Sequence, residues 1–315
     1  MPILVIGGAG YIGSSLVPAL QKDHDVTVLD PCWFGNPFDS STKLWTVDAL
    51  STNFQHFAGF NQVIYLAGLS SEPMANFSPR KNFLYNTAAP AYVAYIAKQA
   101  GVKRFIFASS CSVYGAQKDV CTEESPTLAT FPYGVSKLAA EKAIFQLQDK
   151  DFSVIALRKG TVSGYSPRMR LDLMVNTMFR DAAKTGKVTV SNPTLKRPIL
   201  SIGDAVRAYQ AAVAAPQAIS GAFNITSGNY TLGMLGELTA HHMKAALIIQ
   251  HKKDYRSYRI SCVRANGVLG WVRKDVIMNI LNDLSSNAVL FQDFDNPKYY
   301  NIEVFKTLGE VTVQP

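Results

Sequence analysis

The sequence is poor in cysteine and shows no cysteine pattern typical of a metal centre or a disulfide framework. Its 315 residues include four cysteines, and none of them forms a CxxC pair. Such spacing predicts free thiols in a reducing compartment and no metal site. We therefore expect a cytoplasmic protein without a bound metal. The four positions are Cys32, Cys111, Cys121 and Cys262.

Charge is also sparse, and it is not concentrated anywhere. Charged residues make up 17% of the chain against 48% hydrophobic residues, a balance typical of a well-packed globular protein. The 31 basic and 23 acidic side chains leave a net charge of +8, without a run of like charges or a stripe of arginines and aromatics. A diffuse positive excess favours a small anionic substrate over nucleic acid.

Long hydrophobic runs are missing as well. No stretch approaches the ~18 consecutive apolar residues of a membrane helix. The first residues enter a strand pattern directly, and no signal-peptide pattern precedes it. We expect no membrane association.

Short apolar runs instead alternate with segments of helical periodicity through the first half of the chain. This alternation predicts an α/β fold with a Rossmann-type, doubly wound parallel sheet. The predicted helices lie near 11–22, 85–100 and 132–148. The predicted strands lie at 3–6, 26–29, 44–47, 63–66, 104–108 and 153–158.

The pattern loosens after about residue 164 and predicts a smaller, mixed α/β C-terminal lobe. We expect residues 1–163 to form the dinucleotide-binding domain and residues 164–315 to form mainly the substrate-binding lobe. A helix is predicted near 171–185. The segment near 195–230, with a strand at 222–225, is expected to return to the main sheet. Ligands of open α/β sheets bind beyond the carboxyl ends of the strands, so the two lobes should share a cleft.

A glycine-rich run, Gly-Gly-Ala-Gly-Tyr-Ile-Gly-Ser, follows the first predicted strand at residues 7–14. Its spacing fits both G-x-G-x-x-G and G-x-x-G-x-x-G, patterns in which a strand ends and a helix begins with its free N–H groups facing a pyrophosphate. Asp30 ends the second strand about 20 residues later, where a carboxylate can hold the adenosine ribose hydroxyls. Such an acid repels a 2′-phosphate, so the sequence favours NAD over NADP.

Two later segments indicate proton-transfer chemistry. Tyr133 and Lys137 lie at i and i+4 on a predicted helix and therefore share one face. An ammonium beside a phenol favours the phenolate, as a bound nicotinamide cation would, so Tyr133 is a candidate base near neutral pH. Ser110 lies in a hydroxyl-rich loop after the fifth strand and is a candidate donor to the same substrate oxygen.

Taken together, these motifs resemble the extended short-chain dehydrogenase/reductases, specifically the nucleotide-sugar epimerase/dehydratase family, whose enzymes include UDP-glucose 4-epimerases. The matching segments, in order, are GGAGYIGS at 7–14, Asp30, Val47-Asp48, Tyr65-Leu-Ala-Gly68, Asn86, SSCSVYG at 109–115, YGVSK at 133–137, Leu157-Arg158, Arg197-Pro-Ile-Leu, Asp204, Arg256-Ser-Tyr258 and Leu269-Gly-Trp271.

The resemblance implies a role for each matched position. Tyr133 would be the catalytic base, Lys137 its partner and a ligand of the nicotinamide ribose, and Ser110 the catalytic serine. The implied cofactor-binding residues are Gly7, Gly10, Tyr11, Ile12, Gly13, Asp30, Asp48, Leu66, Ala67, Gly68 and Lys137. The implied substrate-binding residues are Ser112, Asn176, Arg197 and Arg256, the two arginines suiting a diphosphate.

Two departures from the family pattern bear on the reaction. Family members that are 4,6-dehydratases carry Thr-Asp-Glu before Val-Tyr-Gly, and this chain has Ser110-Cys111-Ser112 without an acid. This difference argues against dehydratase chemistry. Thr161 stands where many UDP-galactose 4-epimerases have an asparagine. Nearby, Arg168 and Arg170 either contact a substrate phosphate or carboxylate, or cap a helix or pair with an acid; the second interpretation is slightly favoured.

The sequence thus predicts an NAD-dependent epimerase of a UDP-, GDP-, CDP- or dTDP-linked sugar, acting through transient oxidation to a keto-sugar. An NAD(P)H-dependent keto-sugar reductase is the main alternative, and a 4,6-dehydratase or a non-catalytic NAD-binding regulator is less favoured. A homodimer formed through the helices at 85–100 and 132–148 is expected from the resemblance.

Overall fold

The computed structural model describes residues 1–251 and 257–307. The strands in chain order are β1 (Pro2–Ile6), β2 (Asp25–Leu29), β3 (Lys43–Trp45), β4 (Gln62–Tyr65), β5 (Arg104–Ser110), β6 (Val120–Cys121), β7 (Ser153–Lys159), β8 (Thr161–Ser163), β9 (Lys187–Ser191), β10 (Lys196–Ser201), β11 (Gly221–Ile225), β12 (Gly228–Thr231), β13 (Ala246–Gln250) and β14 (Arg259–Ile260). The helices are α1 (Gly13–Leu20), α2 (Glu72–Phe77), α3 (Pro79–Phe83), α4 (Ala89–Gln99), α5 (Pro132–Phe145), α6 (Met174–Thr185), α7 (Ile202–Ala214), α8 (Leu232–Met243), α9 (Val263–Leu269), α10 (Ile277–Ser286) and α11 (Asn301–Thr307).

Seven parallel strands form the central sheet, in the order β11-β7-β5-β4-β1-β2-β3. Strands β2 and β3 follow β1 on one side, and β5, β7 and β11 follow β4 on the other side. The strand order therefore reverses between β1 and β4. This doubly wound arrangement confirms the predicted fold class. It places a ligand crevice beyond the carboxyl ends of β1 and β4.

Alternating side chains of the central strands enter two separate hydrophobic cores. Ile3 and Val5 of β1 pack with α1 and α7 on one face. Leu4 and Ile6 pack with α4 and α5 on the other face. Because both faces are covered, the middle positions of β1, β4 and β5 are apolar, which is why short apolar runs predicted these strands well.

The helix predicted at 85–100 differs from the observed element at its start. Residues Leu84–Ala88 form a π-helical turn, and only then does α4 begin. Pro90 supplies the physical reason, because it has no N–H to bond to the carbonyl four residues earlier.

Smaller sheets and helices build the rest of the molecule. Strand β10 pairs antiparallel with β12 and parallel with β8, while β9–β13 and β6–β14 form parallel pairs. Strand β11 pairs with β7 at the edge of the central sheet, so residues 221–225 complete that sheet. Over the described ranges, none of the helices is long and apolar enough to cross a bilayer.

Candidate active site

A cleft of about 440 Å³ opens beyond the carboxyl ends of the central strands. Its size lies within the usual range for small-molecule sites. It runs from the turn after β1, across the ends of β4 and β5, to the start of α5. Residues of the C-terminal half close its other side, among them Arg197, Leu232 and Tyr258.

The glycine turn, residues 7–13, forms one wall of the cleft, and each predicted glycine is needed there for a different reason. Gly7 has φ +80°, and a Cβ on it would lie 2.4 Å from the backbone nitrogen of Ala67. A Cβ on Gly13 would lie 2.2 Å from the carbonyl oxygen of Gly8. A Cβ on Gly10 would meet only the Gly7 carbonyl, at 3.3 Å, and Gly10 lines the cleft. Its missing side chain therefore leaves the close approach that a diphosphate requires.

The two predicted adenosine ligands lie at the same end. One Asp30 carboxylate oxygen accepts the Ala9 amide at 3.0 Å, and the other accepts the Cys32 amide at 2.7 Å. Burial raises the pKa of Asp30, and these amides oppose the shift. Each oxygen keeps a second acceptor position for a ribose hydroxyl. Asp48 accepts the Leu50 amide and the Tyr85 hydroxyl, and it also lines the cleft.

The remaining predicted cofactor positions border the cleft as well. Tyr11, Ile12, Leu66, Ala67, Gly68 and Lys137 all line it. Together with the open position at Gly10 and the Asp30 carboxylate, these residues fit NAD as the cofactor of the cleft. Among the residues described, no group of three or more histidine, cysteine or acidic side chains is arranged to hold a metal ion.

The catalytic candidates converge at the opposite end of the cleft. Tyr133 and Lys137 project from the first turns of α5, and Ser110 ends β5. The Lys137 ammonium lies 5.9 Å from the centre of the Tyr133 ring and 4.9 Å from that of Phe107. Ser110 accepts the Ser112 amide at 3.2 Å and hydrogen-bonds the Tyr133 side chain.

Burial controls the ionisation of this group in the protein without ligand. It raises the pKa of Tyr133, and the hydrogen bond with Ser110 opposes that rise. It lowers the pKa of Lys137 to about 7, with Glu141 acting in the opposite direction. Both shifts favour the uncharged forms, the neutral phenol of Tyr133 and the neutral amine of Lys137.

Two of the predicted substrate residues meet around Tyr258. The Arg197 guanidinium lies 5.7 Å from the Tyr258 ring centre, and Ser112 hydrogen-bonds the Tyr258 hydroxyl. Arg197, Ser112 and Tyr258 all line the cleft. Arg256 lies outside the described residues.

Asn176 is placed differently from its predicted role. It is fully buried and is not among the residues lining the cleft. Its amide nitrogen donates to the Tyr11 hydroxyl at 2.9 Å and to the Arg170 carbonyl at 2.7 Å, and its oxygen accepts the Gly164 amide at 3.0 Å. These bonds hold the segment before α6 against the glycine turn, so the role of Asn176 is structural.

The cleft also contains charged residues that the sequence reasoning did not assign. Glu72 accepts the amides of Tyr133 and Gly134 at 3.2 and 3.4 Å and so caps the helix that carries the base. Lys159 is buried and donates to the Ser109 carbonyl and the Tyr209 hydroxyl. The available signal for Lys159 was a basic pair, Arg158-Lys159, ending a strand with an apolar middle, whereas no local pattern marks Glu72.

The two arginines between β8 and α6 behave differently from each other. Arg170 donates to both oxygens of Asp172, at 2.8 and 3.1 Å, and to the Ser70 hydroxyl. It therefore has the acid partner that the favoured interpretation predicted. Arg168 makes no ion pair within the described residues. Among the described residues, Arg168 therefore lacks the acid partner that the favoured interpretation offered as one of its two roles.

Comparisons with known proteins agree with this architecture. Residues 3–226 match the model of the NAD dependent epimerase/dehydratase family. The UDP-glucose 4-epimerase of Lacticaseibacillus casei is 34% identical over 177 residues, which is 53% of this chain and 53% of that protein. The uncharacterised UDP-glucose epimerase YtcB of Bacillus subtilis is 28% identical over 249 residues, covering 71% and 76%.

A solved structure extends the likeness to nearly the whole chain. MoeE5 in complex with UDP-glucuronic acid and NAD has a TM-score of 0.81 and 27% identity, with 90% of this chain and 97% of that one covered. By sequence, the chain spans about half the length of the UDP-glucose 4-epimerase from L. casei. The matched family model covers well over half of the chain, and it confirms the resemblance seen in the motifs. The chain belongs to the NAD dependent epimerase/dehydratase family.

Proposed function

We propose that this protein is an NAD-dependent epimerase of a nucleotide-activated sugar, with a UDP-linked hexose or hexuronate as its substrate class. The convergence of Tyr133, Lys137 and Ser110 at one end of a dinucleotide cleft carries the proposal. The substrate class is supported by the complexes of MoeE5 with UDP-glucose and with UDP-glucuronic acid.

In this proposal the chain's own residues manage the proton and the developing charge. Bound NAD supplies reversible hydride acceptance from a sugar carbon, C4 in our assignment. The Tyr133 oxygen, once ionised, removes the proton of the hydroxyl on that carbon. The Lys137 ammonium stabilises the phenolate, and the Ser110 hydroxyl donates a hydrogen bond to the forming carbonyl oxygen. Reversal on the other face of the sugar makes the cycle redox-neutral.

A redox-neutral cycle requires the oxidised sugar to stay in the cleft between the two half-reactions. In this proposal Arg197 and Ser112, which both contact Tyr258, hold the diphosphate end of the substrate. Arg170, paired with Asp172 and bonded to Ser70, lines the same cleft as Tyr133. Firm anchoring of the diphosphate with looser contacts to the sugar would let the ring turn without leaving.

Nucleotide content and turnover test the proposal together. The purified protein is denatured, and the released nucleotide is identified and counted by mass spectrometry. We expect close to one NAD per chain, and conversion of UDP-glucose to UDP-galactose or of UDP-glucuronic acid to UDP-galacturonic acid without added cofactor. Turnover that instead consumes stoichiometric NADH or NADPH would replace the epimerase with the keto-sugar reductase.

Asp30 should set the preference between NAD and NADP. Replacing it with alanine removes the ribose-facing carboxylate, together with its repulsion of a 2′-phosphate. We expect NAD affinity to fall at least ~10-fold, the scale of one hydrogen bond to a charged group, while NADP affinity stays the same or rises. Calorimetric titration with both dinucleotides measures this, and Asp25→Ala on the surface is the matched control. Equal losses for both dinucleotides would remove the ribose assignment.

We also propose a homodimer formed through α4 and α5. Helix α4 and the turn before it expose Ala88, Tyr92, Tyr95 and Gln99 at intervals of four, three and four residues, which is one continuous stripe. Tyr95→Glu would place a charge in that interface, so we expect a shift from dimer to monomer in sedimentation velocity. A matched change on another surface, Val289→Glu, should leave the dimer intact. Unchanged sedimentation of Tyr95→Glu would place the interface elsewhere.

A further inference from the structure

The arginine loop, residues 164–173 between β8 and α6, is bonded directly to the glycine turn and the first turn of α1. The Ser166 hydroxyl donates to the Tyr11 carbonyl at 2.6 Å and lies 2.7 and 2.8 Å from the hydroxyls of Ser14 and Ser15. The Arg168 amide donates to the Ser14 hydroxyl at 3.2 Å. The backbone of Arg168 is therefore fixed beside the helix start that faces the cofactor diphosphate.

From this position the Arg168 side chain extends into the cleft without hydrogen-bond acceptors of its own. It is only 6% exposed, and its guanidinium lies 3.9 Å from the ring centre of Phe34. Within the described part of the chain, its Nε and Nη2 atoms have no hydrogen-bond partner. Burying a guanidinium in this way is unfavourable unless an anion completes its hydrogen bonds.

Neighbouring charges do not supply that anion. Asp172 is paired with Arg170, and Asp30, although its charge acts on Arg168, forms no ion pair or hydrogen bond with it. Burial, together with the neighbouring positive charge of Arg170, lowers the pKa of Arg168 to about 9, which agrees with a charge that lacks compensation. The missing acceptor must therefore come from outside the described residues.

We propose that Arg168 binds the diphosphate of NAD, with the Phe34 ring packed against its guanidinium. The guanidinium lies near Asp30, at the adenosine ribose, and is carried by a backbone fixed at the start of α1. The adenine and ribose of the dinucleotide are neutral, and the diphosphate between them and the nicotinamide is the anionic part. A planar guanidinium with parallel N–H donors matches phosphate oxygens.

If Arg168 binds the diphosphate, it has opposite effects on two quantities: it lowers the stability of the nucleotide-free protein and raises the affinity for the nucleotide. Without ligand, the buried charge destabilises the fold, so its removal should not lower stability. With ligand, the same charge gains two or more hydrogen bonds to phosphate oxygens, so its removal should weaken binding. A merely structural arginine would lower stability in both states.

The test uses Arg168→Gln and Arg168→Met, measured on nucleotide-free protein with ADP-ribose, ADP and adenosine. We expect both variants to bind ADP-ribose and ADP at least ~10-fold more weakly, the scale of hydrogen bonds to a charged group. Adenosine affinity should change less than ~2-fold, because adenosine lacks the diphosphate. Arg264→Gln, which removes an exposed arginine paired with Glu124, is the matched control.

The melting temperature without nucleotide is the second measurement. We expect both Arg168 variants to melt at the parent temperature or above it. An equal loss of affinity for adenosine and ADP would show that Arg168 shapes the adenosine pocket instead. Lower melting temperatures of both nucleotide-free variants would show a structural arginine. Either result overturns the proposal, whatever sugar the enzyme acts on.

Discussion

Replacing Tyr133 with phenylalanine is expected to lower kcat at least ~100-fold, the usual contribution of a positioned proton-transfer group. The substitution keeps the ring that packs in the cleft and removes only the oxygen that takes the proton. Ser110 and Lys137 remain in place but have no group through which to act on the sugar hydroxyl. The measurement is the initial rate of UDP-sugar epimerisation.

The control for Tyr133 separates chemistry from cofactor binding. Released NAD per chain should equal that of the parent protein, because the adenosine ligands and the glycine turn are untouched. Tyr299→Phe removes a phenol that lies outside the cleft, where its hydroxyl is 3.5 Å from the Leu290 carbonyl, and should leave the rate unchanged. A Tyr133→Phe rate within tenfold of the parent would mean that another group takes the proton.

Replacing Arg158 with methionine is expected to cost roughly 3–5 kcal/mol of unfolding free energy, the scale for breaking a buried ion pair by removing one partner. Arg158 and Glu141 are 8% and 2% exposed, and their closest N–O distance is 2.7 Å. Arg158 also donates to the Tyr114 hydroxyl at 2.9 Å, and the Ser109 hydroxyl donates to Glu141. The single variant leaves the Glu141 charge without its partner. Urea denaturation followed by circular dichroism measures the loss.

A double variant distinguishes a buried charge from lost packing. Arg158→Met combined with Glu141→Leu removes both charges, and replacing a buried pair by apolar residues is often close to neutral. We therefore expect it to recover a large part of the lost stability. Lys43→Met is the matched control, since its ion pair with Asp25 is exposed and should matter little. If single and double variants are equally unstable, packing rather than charge explains the loss.

How far the site could be predicted depends on whether its residues are local in sequence. Tyr133 and Lys137 lie one helical turn apart, and the glycine turn follows directly on β1, so spacing alone placed them. The strands were predictable because the central sheet is buried on both faces. These features need no knowledge of the rest of the fold.

Residues whose partners are distant in sequence were not predictable in the same way. The resemblance predicts that Asn176 binds the substrate, but its side chain hydrogen-bonds Tyr11 and Gly164 instead. Glu72 caps a helix that begins 60 residues later, and this contact exists only because α2 packs on α5. Arg168 and Arg170 look equivalent in sequence, yet of the two only Arg170 forms an ion pair among the described residues. Long-range packing decides each of these cases.

The bonds between the arginine loop and the glycine turn bear on how the protein can be divided. Ser166, Gly164 and Asn176 complete the hydrogen bonds of Tyr11, Ser14 and Ser15, more than 150 residues earlier in the chain. A fragment ending at residue 163 would lose these partners, and it would also lose strand β11 from the edge of its sheet. The first 163 residues therefore do not form an independent nucleotide-binding unit, because their glycine turn needs hydrogen-bond partners from the second half of the chain.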